Sequence, residues 1–272
     1  MIRRHGHESP CLRVTPSPCL PVSPSAFTAV VILLVGLTSC AFAQTSQSRS
    51  NRADGGWEIA AYIGGARTAD SDLTVSQPGM GNNLTFENVR LRSRSFDGPL
   101  YYGLRAGYYL PQLSFLGFES EFIHLKVFSD PQQTVRVSGQ HRNVPLNREM
   151  LLGEIVQQYS ISHGVNLLLF NIAARRRMTR DGRLTVTARA GIGPTLPHTE
   201  SRIEDQAQEQ YEIGRVGWQV SAGADLKLWR GLHLLGEYKL TRTRQRNKVS
   251  SGTAESLLRT HHGLFGFTYR FE

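Results

Sequence analysis

Cysteine is confined to the first forty residues: Cys11, Cys19 and Cys40 are the only three in a chain of 272. From residue 44 onward there is none, which excludes disulfide frameworks, thiol nucleophiles and cysteine metal sites from the body of the protein. That body also lacks an apolar run of the ~20 residues a transmembrane helix needs. Long charged runs of helical spacing are missing too. No nucleophile elbow, phosphate loop or nucleic-acid recognition module appears, so a surplus of basic residues is no argument for nucleic acid.

The amino-terminal stretch explains where the cysteines fall. Arg3 and Arg4 give a positive start, 27–37 (FTAVVILLVGL) is an apolar run of signal-peptide length, and Ala41-Phe42-Ala43 offers a cleavage site before Gln44. Residues 1–43 therefore read as a signal peptide. Its Pro-rich lead (TPSPCLPVSPS) is unusually long and points to a start further along the chain. Leu37-Thr38-Ser39-Cys40 also permits a lipoprotein reading, with Cys40 lipidated; a membrane-integral chain has little need of such an anchor. Removal of Arg3, Arg4 and Arg13 together with Glu8 lowers the net charge from +9 to +7.

Beyond a short lead-in at 44–56, the hydropathy alternates with period two, the signature of half-buried strands. Eight segments have this character: 57–68, 98–110, 115–129, 164–178, 184–197, 215–229, 232–245 and 258–271. Their connections alternate. Long polar ones (69–97, 130–163, 198–214, 246–257) follow the odd strands, and tight ones (111–114, 179–183, 230–231) follow the even strands. In 216–229, Trp218, Val220, Ala222, Ala224, Leu226 and Leu228 share one face, opposite Gln219, Ser221, Gly223, Asp225 and Lys227. A soluble sandwich gives the same parity. The export signal, the strict loop alternation and the last strand favour a membrane barrel instead.

That last strand, GLFGFTYRFE, aligns Phe265, Phe267, Tyr269 and Phe271 and resembles the terminal strand of Gram-negative outer-membrane barrels, apart from the extra Glu272. Only helices and closed barrels satisfy their backbone hydrogen bonds in hydrocarbon. The expected fold is therefore all-β: an eight-stranded antiparallel up-and-down transmembrane barrel over 57–272, with long extracellular loops and short periplasmic turns. Glu58, Arg105, Arg189, Asp225, Lys227, Glu237, Lys239 and Arg270 belong to its interior. An interior of eight strands is just wide enough for side chains to fill, and charges of both signs must pair there.

Chemistry is expected at the outer rim. The third strand carries EFIHLKVF (121–128), in which His124 and Lys126 interrupt an apolar run. Glu119 and Glu121 have the opposite parity, so bringing all four inward requires a β-bulge near Phe122 and Ile123. Inward-pointing His124 and Lys126 put Ile123, Leu125 and Val127 on the lipid side. Gly164 and Asn166 begin the fourth strand, Pro197, His198 and Glu200 end the fifth, and Glu237 and Lys239 lie on the seventh.

EFIHLKVF, ISHGVNLLLFN (161–171), GIGPTLPHTE (191–200) and GEYKLTRTR (236–244), in that order, resemble the rhizobial lipid A oxidases, eight-stranded outer-membrane barrels. The resemblance spans about 57–272. It implies oxidation of the proximal glucosamine of lipid A to 2-aminogluconate, with dioxygen and a divalent, iron-like metal. By position it implies catalytic roles for His124, Lys126, Asn166, Glu237 and Lys239, with Asn171 in the same match. His124, His198 and Glu200 are the metal ligands it suggests, of the imidazole and carboxylate kind that iron accepts. Where that family often has an acidic residue before its Gly-x-Asn element, this chain has Ser162 and His163.

The partners implied are outer-membrane lipids and lipopolysaccharide, not nucleic acid, and the chain is expected to be a monomer in the outer membrane. Lys126 and Lys239 suit a phosphate as point charges. Two basic clusters, Arg90, Arg92 and Arg94, then Arg242, Arg244, Arg246 and Lys248, fall at the rim where lipopolysaccharide phosphates lie. A non-enzymatic OmpA/OmpX/Opa-like barrel serving adhesion or envelope integrity is the alternative. A lipid A deacylase would need a Ser–His pair, and Ser162 and His163, adjacent on a strand, point apart.

Overall fold

The computed structural model describes residues 55–96, 100–161 and 164–271. The expected signal peptide, with the three cysteines, and Ser162 and His163 lie outside the described residues, as does the lead-in up to residue 54.

Eight antiparallel strands form a closed ring: β1 (Gly56–Thr68), β5 (Tyr102–Leu110), β6 (Leu113–His124), β11 (Leu167–Arg177), β12 (Leu184–Pro194), β15 (Val216–Trp229), β16 (Leu232–Val249) and β17 (Gly252–Arg270). The first and last strands pair from Glu58↔Arg270 to Thr68↔Thr260, which closes the barrel and leaves it no edge. These are the eight strands the alternation marks.

The facing of the side chains decides between sandwich and membrane barrel. Outward positions hold Ile59, Leu104, Phe118, Phe170, Ile172, Ile192, Phe265 and Phe267, each around half exposed. Inward positions hold Glu58, Arg105, Glu119, Glu121, Arg189, Asp225, Glu237 and Lys239, all buried. Apolar outside and charged inside is the reverse of a soluble core, and it suits a wall bathed in hydrocarbon. No helix among the described residues is long and apolar enough to cross a membrane.

Above the barrel the long connections are strands rather than loops. The first supplies β2 (Ser71–Gln77), β3 (Asn82–Val89) and β4 (Leu91–Arg92). The second supplies β8 (Thr134–His141), β9 (Val144–Leu151) and β10 (Val156–Ile161), after the short β7 (Val127–Ser129). The third supplies β13 (His198–Ile203) and β14 (Gln206–Tyr211). The fourth vanishes into β16 and β17, whose 18 and 19 residues are about twice the ~9–11 that a spanning strand needs. Strands β2, β3, β8 and β9 extend the barrel sheet from β17, and β14-β13-β10-β7-β4 form a second sheet.

These elements make a cap with an apolar core of its own. Leu73, Val75, Leu84, Phe86, Val137, Leu152, Val156, Ile161 and Ile203 are all essentially inaccessible. Hydrophobic burial at roughly 25 cal/mol per Å² orders segments whose polar outer faces read as loops. Ile123, Leu125 and Val127 join the same core, so their expected lipid-facing placement is wrong. The expected bulge is absent as well. From Gly107↔Glu119 to Tyr102↔His124 the register of β5 and β6 is continuous, and so is that of β6 with β11. Glu119, Glu121 and Ile123 point inward, and His124 takes the outer side of the wall beside Tyr102.

Candidate functional site

The interior charges converge on two levels. In mid-barrel, Glu119, Glu121 and Glu237 meet Arg105, Arg189 and Lys239, three anions against three cations. Arg105 donates to Glu121 and Glu237 at 2.8 Å each, and Arg189 donates to Glu119 at 2.8 Å and to Glu237 at 3.1 Å. Lys239 pairs with Glu121 and lies 3.6 Å from Glu237. Lower down, Glu58 takes Arg175 at 3.0 Å and Arg270 at 3.3 Å, and Arg270 reaches Asp225 at 3.3 Å. The interior set expected from parity thus packs as a paired plug, with Lys227 at its half-buried margin.

That packing corrects two of the proposed site residues. Glu237 and Lys239 are sealed in the neutral cluster, and Lys239 has no surface left for a phosphate. Asn171 belongs to the same network, donating to Glu121 at 2.9 Å.

His124 and Asn166 do meet. Nδ1 of His124 lies 2.8 Å from Oδ1 of Asn166, and the imidazole stacks on Tyr102 with centroids 5.2 Å apart. Asn166 reaches this position with a left-handed backbone (φ 37°). Gly164, also at positive φ, lets the His124 ring approach; a Cβ there would lie 2.6 Å from it. Nε2 of His124 is buried with no hydrogen-bond partner among the described residues. Lys126 follows two residues on and is buried.

His198 and Glu200 form a separate group on β13. The Glu204-Asp205 turn, with both residues at positive φ, folds β14 back so that Glu209 lies opposite Glu200 and Tyr211 opposite His198. Nε2 of His198 is 2.9 Å from Oε1 of Glu209, and the imidazole stacks on Tyr211 at 3.9 Å. Ligand atoms of His198, Glu200 and Glu209 all lie within 4.8 Å of one another. His124 is not in that set, so the expected ligand trio is corrected: Glu209 takes its place. Gly164 separates the two groups, its carbonyl accepting the His198 amide at 3.2 Å. Glu209 and Tyr211 were overlooked because 198–214 reads as a loop. The signal was available, since a two-residue turn at 204–205 reflects 200 onto 209 and 198 onto 211.

Among the described residues, the other histidines of the barrel strands have structural partners. His233 Nδ1 bonds the Gly231 carbonyl at 2.9 Å, His261 meets Tyr238, and His262 Nε2 meets Thr241 at 2.9 Å.

Residues 29–271 match the family model described as an outer membrane protein beta-barrel domain. The chain belongs to that family. Among solved structures, the barrel is similar to Neisserial surface protein A (11% identity, 79% of this chain and 97% of that one, TM-score 0.36). It is also similar to the outer membrane protease OmpT of Escherichia coli (9%, 80% and 98%, 0.44) and to OprG of Pseudomonas aeruginosa (11%, 80% and 96%, 0.40). Comparison with curated protein sequences gives no match.

As an outer-membrane barrel it keeps its tight turns in the periplasm and its cap outside. Above the apolar band, Arg242, Arg244, Arg246 and Lys248 line one exposed face of β16, and Arg242 faces Arg259 across the pair with β17. Glu255 pairs with Arg246 at 3.1 Å and Glu212 lies 3.6 Å from Lys248. The other basic cluster is largely spent within the cap. Asp130 takes Arg92 at 2.9 Å and Arg90 at 3.6 Å, and Arg94 lies over Phe128.

Proposed function

We propose that this barrel modifies lipid A in the outer leaflet at a divalent metal: C1 of the proximal glucosamine loses two electrons to dioxygen, which leaves as hydrogen peroxide, and water supplies the oxygen gained by the resulting 2-aminogluconate. The observation that carries this reading is the His198, Glu200 and Glu209 set on the extracellular sheet. Cis ligands about 2.1 Å from an ion stand about 3 Å apart, so the 2.9 Å of the direct His198–Glu209 pair is also a spacing that two ligands of one ion can keep. One imidazole and two carboxylates are donors that iron, manganese or zinc accept. Held by His198, Glu200 and Glu209, such an ion would supply the activation of dioxygen.

The chain's own residues supply the rest. The His124–Asn166 pair, next to Gly164, presents a buried ring nitrogen suited to hold or move a proton at a sugar hydroxyl. The cationic face of β16 suits the phosphates of an anionic glycolipid. The ordered motifs that resemble those of the lipid A oxidases support the same reading. A second reading is favoured by the cap itself, whose two packed sheets give a rigid head suited to adhesion.

Mass spectrometry of lipid A from cells making the protein separates the two. A gain of one oxygen is expected, lost on chelation and in His198→Ala or Glu209→Gln, and strongly reduced in His124→Ala. Unchanged lipid A around a folded, membrane-inserted barrel refutes the oxidase.

A further inference from the structure

On the outer wall, the small side chains of Ala61, Ala106 and Ser120 leave a groove of about 520 Å³, flanked by Leu104, Phe122 and Leu168. Ala61, Leu104, Phe122 and Leu168 are successive cross-strand partners on β1, β5, β6 and β11, so they form one rung of the wall. The next rung up is Tyr102↔His124, about 6.6 Å away at the rise of a strand. Aromatic contact joins the two rungs. The Tyr102 ring lies 6.1 Å from Phe122 and 5.2 Å from His124, stacked on the latter. An apolar channel facing hydrocarbon therefore ends under a polar pair whose buried Nε2 has no partner among the described residues.

We propose that this groove holds one acyl chain of the anionic glycolipid of the outer leaflet, and so sets the glycolipid's headgroup against His124 and Asn166. The substrate then approaches along the outside of the wall. The salt-bridged interior offers it no path, because Arg105, Arg189 and Lys239 fill the lumen with side chains that are 3%, 1% and 0% exposed. Two features select this occupant, and a third gives the height of its headgroup. The groove opens into the apolar band, where only a chain of hydrocarbon is available. Its upper end lies one rung below Tyr102 and His124, hydrogen-bonding groups that a sugar headgroup can use and a bare methyl terminus cannot. The exposed cations of β16, four strands from β6 on the opposite wall, make no contact with this lipid but mark the height above the apolar band at which headgroup phosphates stand. The inference deepens the lipid A reading, which it takes as its starting point, by naming the face on which the lipid docks.

The test uses the full-length protein in cells, with benzoylphenylalanine introduced in place of Leu168 and, as a control on the same wall away from the groove, in place of Ile192. After irradiation, lipopolysaccharide adducts are expected about tenfold more abundant at position 168 than at 192. Filling the groove by Ala106→Trp, in a barrel that still shows heat-modifiable migration, should abolish the excess. His198→Ala should leave it intact while lipid A oxidation is lost. Equal adducts at the two positions, adducts of phospholipid alone, or an excess that survives Ala106→Trp overturns the proposal. If the glycolipid adduct forms while lipid A keeps its mass, the groove stands and the oxidase reading falls. If lipid A is oxidised without a preferential adduct, the groove alone is refuted.

Discussion

Glu121 accepts hydrogen bonds from Tyr62 at 2.6 Å, Arg105 at 2.8 Å and Asn171 at 2.9 Å, and from Lys239 and Gln219 as well. Each cation of the cluster is balanced by a carboxylate, so deleting one carboxylate leaves a buried positive charge with nowhere to go. Breaking a buried pair in this way costs about 3–5 kcal/mol, although replacing the whole pair can be neutral. Glu121→Gln is therefore expected to destabilise the barrel by about that much in urea titrations followed by tryptophan fluorescence. A loss below about 1 kcal/mol would mean that water or an ion already screens the cluster. This network was half legible in the sequence. Arg105, Arg189, Glu237 and Lys239 follow from parity, but Glu119 and Glu121 conflict with His124 if every polar group must face inward. The conflict disappears because that rule ends where the hydrocarbon ends. Above it, Ile123, Leu125 and Val127 are drawn into the cap core and His124 turns outward at little cost.

Two hairpin tips meet in the cap. His141 and Arg142, at the β8–β9 turn, both bond Glu204 at the β13–β14 turn, Arg142 at 2.5 Å. Partial burial alone would raise the Glu204 carboxyl, but the bonds from Arg142 and His141 outweigh it and hold the group below the ordinary glutamate range. A carboxylate depressed in the folded state contributes stability above its unfolded value and loses it as pH falls through the folded one. The clamp is thus expected to be complete at neutral pH and to open below the usual glutamate pKa of about 4.3. Hydrogen exchange at β8, β9, β13 and β14 should speed up in acid, and Glu204→Gln should remove that pH dependence. Acid-insensitive exchange in the unaltered protein would show that the clamp holds nothing. Sequence alone did not reveal these hairpins. Their outer positions are polar, as in β14 (QAQEQY), and the apolar residues that order them, such as Phe86, Val137 and Ile203, find their partners only across two sheets. The two-residue turns at 142–143 and 204–205 were the local clue, and neither contains the glycine that usually marks such a turn.

The height at which the membrane ends governs the whole molecule, because it decides which polar groups face lipid and which face headgroups. The outward row of β17 runs upward through Tyr269, Phe267, Phe265, Gly263, His261, Arg259 and Leu257. On β16 the outward row passes from Leu234 and Tyr238 to Arg242 and Arg244, and on β6 from Phe118 and Phe122 to His124. The β16 and β17 rows change from apolar or aromatic to basic at paired rungs, and the β6 row ends on a histidine. Tyr238 pairs with Gly263 and Arg242 with Arg259, so the boundary lies between those rungs. His124 and Asn166 then sit at the interface, where a glycolipid presents its sugar. An arginine facing lipid costs about 2–4 kcal/mol near the bilayer midplane and about 0–1 near the interfaces. Phe267→Arg is therefore expected to cost the former and Leu257→Arg the latter when folding free energies are measured in liposomes. Equal costs at the two positions would move the boundary above Leu257, bury the β16 cations in hydrocarbon, and remove the interface on which the site depends.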